Sequence, residues 1–334
     1  MRIIGLFDGA GPMYHRVFVP LILMPKHDVL LTTKITEEQI SKCDVLYINR
    51  LAPANYPSEV FKWREQYGFK IVVDLDDHWN IGQSHILTDF YKEHQVSTFI
   101  EHNIIQADAV SVTHERLAEE VMKLNDNVYC LPNAIADYDQ FHTQRDSFNK
   151  VRLFWAGGIT HEKDLNLLQM PLTRVASDPH LKNQILMIMG GFQQGNQHWG
   201  NMVRSFTANG KLTAVTLPGR KVTEYYKLYQ NADICLIPLA KSTFNTHKSN
   251  LKILEAAHLG IPVIVSAVHP YLGFPDHMVN YVYKQSDWYK HIKLLTNDKG
   301  FREAQGQMLK EYCNDVYNFE RINMARKEML EQWT

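Results

Sequence analysis

Short apolar runs recur along the chain. Most are followed by a small or polar turn and then by apolar residues spaced three and four apart. Runs at 3–7, 44–49, 71–73, 109–113 and 128–131 read as buried strands, and those at 151–156, 185–189, 213–217, 233–239 and 263–265 repeat the pattern. Helical spacing fills the stretches between them: about 14–24, 58–68, 84–105 and 115–124, then 165–177 and 223–230. Leu251, Leu254, Ala257 and His258 share one helical face, Gly260 stops that helix, and Pro262 opens the next strand. Strands alternating with helices predict a parallel sheet covered on both faces, the doubly wound α/β class. Residues 136–150 break the alternation; they are polar, with Asp137, Asp139, Asp146 and Asn149, and read as a linker. The stretch 193–200 is polar and carries no assignable pattern. The tail from 301 to 334 is helical, with a break near 314–318.

The length of 334 residues, 45% of them hydrophobic, supplies material for two cores of ordinary size. Lys and Arg number 35 against 36 Asp and Glu, so a strongly basic nucleic-acid binder is not indicated, while a local basic patch stays open. Sixteen histidines are scattered without a His-Glu-x-x-His pattern. Cys43, Cys130, Cys235 and Cys313 lie far apart, mostly in apolar settings, which predicts free buried thiols in a reducing compartment. Arg2 is followed by only five apolar or small residues before Asp8, so no signal peptide is expected. No apolar run approaches the ~20 residues of a membrane span. A soluble, cytoplasmic protein without stable membrane insertion is the expectation.

Candidate chemistry gathers at four places. Lys248 and Lys252 stand at the start of the helix after Asn250, where Ser249 or Asn250 is expected to cap the first amides. Lysine there opposes the helix dipole, so an anion is the expected partner. Glu255 lies one turn on, placed for ribose hydroxyls; an ordinary surface helix with mixed charges is the plainer reading. After the strand 151–156, the loop Gly157, Gly158, Ile159, Thr160, His161, Glu162, Lys163, Asp164 offers backbone, an imidazole and a lysine at a helix start, with Thr160 or Asp164 as cap. After the strand 71–73 come Asp74, Leu75, Asp76, Asp77, His78 and Trp79 at the sheet's carboxyl edge, where like charges raise one another's pKa and suit proton transfer. A cluster capping the next helix is the alternative. The opening strand runs into Asp8, Gly9, Ala10, Gly11 and Pro12, which is not the G-x-G-x-x-G fingerprint; Arg16 beyond it faces either a ligand or solvent.

The run KSNLKILEAAHLGIPVIVS, Lys248 to Ser266, resembles the donor-binding segment of retaining GT-B glycosyltransferases of the group 1 type. In that family two glutamates bracket the segment. Glu255 matches the second, which holds the ribose, and His247 stands in place of the first. The resemblance implies two doubly wound, Rossmann-like domains facing across a cleft. Residues 1–140, joined by a C-terminal helix at 315–334, would bind the acceptor, and 150–314 the nucleotide-sugar donor. It further implies that Lys163 grips the diphosphate, and that Gly158 stands where the family has an arginine, whose contact is either missing or supplied elsewhere, as by His161 or Arg220. Gly11, Arg16, Lys248, Ser249, Asn250 and Leu251 complete the implied donor site. Tyr271, Leu272 and Gly273 match the loop facing the sugar, and Asp76, Asp77 and His78 are the implied catalytic set on the acceptor side. The implied reaction moves a sugar from a UDP- or GDP-type donor to a hydroxyl, with retention and without metal or cofactor. The acceptor would be a glycan or a hydroxymethylated DNA base, as with phage enzymes of this fold. A nucleotide- or sugar-binding protein without turnover is the alternative. An epimerase-type relative would need its own carboxylate pair in the second domain, which the sequence lacks.

Overall fold

The computed structural model describes residues 1–7, 11–51, 59–83, 85–136 and 148–332. The expectations at Asp8, Gly9, Ala10, Ser58, Ser84, Asp137, Asp139 and Asp146 fall outside them. The chain forms two compact units. One takes in Met1–Ala136, His247–Ser249 and Tyr317–Thr334, the other Asp137–Thr246 and Asn250–Val316.

In the first unit, β1 (Arg2–Leu6), β2 (Asp28–Thr32), β3 (Val45–Asn49), β4 (Lys70–Leu75), β5 (Ala109–Val112) and β6 (Val128–Cys130) form one sheet, in the order β2-β1-β3-β4-β5-β6. Every neighbouring pair is parallel. Central strands are buried on both faces, which is why β3 reads as an unbroken apolar run. One face packs against the helix Val96–Gln106 through Ile100 and Ile104. On the other, Ile3, Val17, Leu21 and Tyr47 share a core with Met329 and Leu330 of the last helix, Phe319–Glu331.

In the second unit, β7 (Val151–Ala156), β8 (Ile185–Phe192), β9 (Ala214–Pro218), β10 (Ile234–Ile237), β11 (Val263–Ser266) and β12 (Asn280–Val282) give the parallel order β12-β11-β10-β7-β8-β9. Strand order reverses between β1 and β3 in one sheet and between β7 and β10 in the other. Open α/β sheets place ligands outside the carboxyl ends at such points.

Several local expectations need correction. The edge strand β2, the short strand β12 and the helix Gln197–Phe206 are additional elements. The helix expected over 84–105 is two, Thr88–Glu93 and Val96–Gln106, parted at Gln95 with φ of 49°. The helix expected over 165–177 starts earlier and is also divided, into Glu162–Asn166 and Gln169–Ala176. Neither Thr160 nor Asp164 caps it by side chain, and neither Ser249 nor Asn250 caps Leu251–His258; the carbonyl of Asn250 accepts from Ile253 instead. All four cysteines are free, and three are buried.

Candidate active site

In the first unit the chemistry collects at the ends of β3, β4 and β5. Asp74 is the last polar residue of β4 and fully buried. Its Oδ1 accepts from Arg16 Nε at 2.9 Å and Asn49 Nδ2 at 3.0 Å. Its Oδ2 accepts from Arg16 Nη2 at 2.7 Å, Ser111 Oγ at 2.6 Å and Tyr47 OH at 3.1 Å. Arg16 also donates through Nη1 to Leu131 O at 2.6 Å and Asn133 Oδ1 at 3.3 Å. The solvent-facing alternative for Arg16 is therefore wrong: the guanidinium is buried and knits helix, β4 and the end of β6 together. Burial alone would push the Asp74 carboxyl up, but the ion pair and hydrogen bonds with Arg16 and the Ser111 bond outweigh it and hold it below the usual carboxylate value. Gly11 is exposed at the head of this helix, which passes through the wider-wound segment Tyr14–Phe18.

Two residues on, Asp76 meets the opposite environment. It is buried, and its Oδ1 has no hydrogen-bond partner among the described residues. Burial first, then Asp77, raise its pKa to about 6, with Asp74 adding to the rise and Arg50 opposing it. A carboxyl poised there can hold or release a proton near neutral pH. Asp77, half-buried, pairs with Lys248 Nζ at 3.5 Å. His78 is buried, stacked on Trp79 at 4.4 Å, with the His247 ring edge-on at 4.9 Å. The Asn80 amide donates to His78 Nδ1 at 2.8 Å, so the neutral ring carries its proton on Nε2, which lies 4.0 Å from Glu120 Oε2. Burial, then His247, lower the His78 pKa and keep the ring neutral at pH 7. Trp79 is tied in turn to Glu101 Oε1 at 2.7 Å. Thus the first unit brings together Asp76, Asp77, His78, His247 and Lys248. From Asn80 onward a hollow of about 410 Å³ is lined by Asn80, Gln83, Tyr91, Gln95 and Thr98 among others, with Lys92 the one charged side chain among the described residues of the lining.

In the second unit the strand ends present backbone. β7 runs into Gly157 and Gly158, and β8 ends through Gly190 and Gly191. Gly191 has φ of 90°, and a Cβ there would stand 2.5 Å from the Gly157 carbonyl oxygen, so both features require glycine. The turn Ile159–His161 is held by His161 Nδ1 to Asp164 Oδ2 at 2.7 Å. Asp164 Oδ1 accepts from the Ala240 amide at 2.8 Å and Asn245 Nδ2 at 3.2 Å, which joins the loops after β7 and β10. Lys252 Nζ donates to Ala156 O at 2.5 Å and lies over the Trp155 ring. Lys163 is exposed in the first turn of Glu162–Asn166, and Arg220 is exposed beyond β9. Ser249, Asn250 and Leu251 are half-buried at the start of Leu251–His258. Glu255 is buried, and its Oε2 accepts from Tyr229 OH at 2.6 Å. The loop at Tyr271–Phe274 is pinned by Tyr281, whose hydroxyl donates to Tyr271 O at 2.8 Å and accepts from the Phe274 amide at 3.1 Å. Asp164, expected as a helix cap, instead ties two loops together, and Tyr229, which orients Glu255, is a support that the residue pattern did not single out. Tyr229 sits at core spacing, and only its hydroxyl marks it. Among the described residues no group of three His, Cys, Asp or Glu side chains could hold a metal ion, and no helix is long and apolar enough to cross a membrane.

Comparison with known proteins follows this geometry. Sucrose-phosphate synthase from Thermosynechococcus elongatus superposes with a TM-score of 0.68 at 13% identity, over 99% of this chain and 98% of that one. HepE from Anabaena, in complex with UDP and glucose, gives 0.68 at 13% identity over 99% and 100%. An alpha-glucosyltransferase, in complex with UDP and a 13-mer DNA containing an HMU base, gives 0.66 at 13% over 99% and 99%. No curated protein matches the chain by sequence. The chain is a two-domain α/β protein of the GT-B fold. Residues 150–295 match the model of the family Glycosyl transferases group 1.

Proposed function

We propose that the protein transfers a sugar from a nucleotide-sugar donor to an acceptor hydroxyl, with retention at the sugar carbon. The second unit binds the donor. Glu255 accepts the ribose hydroxyls, and the helix start at Leu251, with Lys163, neutralises the leaving diphosphate. Gly158 leaves backbone open beside the phosphates, with His161 and Arg220 as the auxiliary contacts. Arg16 acts through Asp74 on the position of the strand end rather than on the donor. In the first unit Asp76, Asp77 and His78 serve the acceptor hydroxyl, with Asp76 as the group that exchanges its proton.

The observation that carries this reading is the buried Glu255, one turn into a helix whose start lacks a side-chain cap, with its carboxylate oriented by the Tyr229 hydroxyl. UDP-type donors are supported by the UDP-bound neighbours, and GDP-type donors are the comparison to run. The amide- and hydroxyl-lined hollow beyond Trp79 favours a neutral glycan acceptor, since polyols are held by such groups and DNA needs rows of cations. A hydroxymethylated DNA base is the second reading, favoured by the neighbour bound to modified DNA. Glu255→Ala is expected to weaken UDP-sugar binding by about 1–3 kcal/mol in calorimetry, with the melting temperature little changed. Unchanged nucleotide affinity in a folded variant would remove the donor assignment.

A further inference from the structure

The second unit carries another concave site, at the amino edge of its sheet, away from the strand ends that hold Glu255 and Lys163. A cavity of about 530 Å³ opens where β7, β10 and β11 begin, bounded by Val151, Asp233 and Pro262. Its charged lining is Lys150, Arg152, Asp233, Lys299, Arg302 and Glu303, with Phe148 at one side. We propose that this cavity binds a nucleoside phosphate, a second ligand independent of the sugar donor.

The charges do not cancel. Arg152 and Asp233 neutralise each other: the Arg152 amide and Nε reach Asp233 Oδ2 at 2.8 and 2.9 Å, and Nη2 reaches Oδ1 at 3.0 Å. Arg302 is anchored through Nη1 alone, to the carbonyls of Leu295 at 2.6 Å and Thr296 at 3.4 Å, so its fork is fixed while Nη2 remains for a ligand. Lys150 is half-buried and makes no hydrogen bond or ion pair among the described residues. Among the described residues Lys299 reaches only Glu303, at 3.7 Å and between largely exposed side chains, a contact of little strength. Three cations from two separate segments therefore converge on a concave space against one solvated carboxylate. A fixed guanidinium flanked by two flexible ammonium groups suits a phosphate dianion. Phe148, 59% exposed, offers the ring face on which a base stacks while its phosphate meets the cations. The volume is that of a small-molecule site.

AMP, which is not a sugar donor, and inorganic phosphate are the probes, titrated calorimetrically into the full chain. AMP is expected to bind the parent and the Glu255→Ala variant alike. A Lys150→Ala, Lys299→Ala double variant is expected to bind it about tenfold more weakly or worse, with an unchanged melting temperature. Phe148→Ala should weaken AMP and leave phosphate alone. Absence of AMP binding to the parent, or binding that survives the double lysine change but fails in Glu255→Ala, overturns the site. AMP affinity indifferent to Phe148→Ala overturns the nucleoside part of the assignment.

Discussion

At the carboxyl end of the first sheet the strands stop on side chains. Asp74, Asn49, Tyr47 and Ser111 close around Arg16 into a buried network that fixes where β4 ends. At the same end of the second sheet β7 and β8 stop on glycines, and the backbone there is supported by side chains one step back: Asp164 accepts from the Ala240 amide, and Lys252 donates to the Ala156 carbonyl. The two ends suit different partners. A sheet that ends in satisfied charge can force the nearby carboxylate Asp76 into a costly environment and hold it there. A sheet that ends in bare backbone lets a large anion come close to amides. One end is packed with bonded charge, and the other is left as backbone.

The comparison is most open to attack at Asp74. Asp74→Ala leaves the Arg16 guanidinium buried without its carboxylate, and a loss of about 3–5 kcal/mol is expected in denaturant unfolding. A loss under about 1 kcal/mol would mean that the network does not fix the strand end. In the second sheet, Gly191→Ala forces a side chain into a left-handed backbone against the Gly157 carbonyl, at a cost of about 2–3 kcal/mol. Gly158→Ala, where a Cβ meets nothing within 4 Å, should change stability by less than about 0.5 kcal/mol by the same assay. Similar costs at both positions would sink the idea that close backbone approach, rather than turn chemistry, selects these glycines.

Asp76→Asn sharpens the contrast in the other direction. The folded state raises the Asp76 pKa from 3.8 to about 6, so it binds this proton more tightly than the unfolded chain does. Between those values stability falls as pH rises, and above about 6 the whole penalty is present. The asparagine variant should be more stable than the parent at pH 7 to 8, by on the order of 2 kcal/mol, while losing transfer activity. The stability gap should close below pH 4. A gap that is constant with pH would show that the carboxyl does not titrate in this range. The smallest effect is expected for Tyr229→Phe, which removes the hydroxyl that orients Glu255. About 0.5–1.5 kcal/mol of UDP affinity should go, and none if Glu255 is not a nucleotide ligand.

The fold was legible where strands are central and buried on both faces, because continuous apolar runs such as Val45–Ile48 have few other readings. It was not legible at β2, a half-exposed edge strand, or at β12, three residues whose strand character comes from the ladder with β11. Trp199, Met202 and Phe206 carry helical spacing, but Gly200 and the polar residues around them hid it. In the candidate site, composition marked the carboxylates and could not rank them. Asp74 stands near the end of β4 and Asp76 just past it, and only the tertiary placement of Arg16 makes the first a structural anion and the second a strained one. Sequence spacing likewise gave no sign that Lys248 meets Asp77 or that His247 meets His78, since about 170 residues separate each pair.

The last helix has a consequence for how the protein is made. Met329 and Leu330 fill the core formed by Ile3, Val17, Leu21 and Tyr47, and Asn323 Nδ2 donates to Pro20 O at 2.9 Å. The first unit therefore cannot be finished until residues 319–331 have left the ribosome, and the second unit can complete its own core beforehand. A chain cut after Val316 should fold its second unit and leave its first unit open and prone to aggregate. Damage at one terminus would thus be felt at the other.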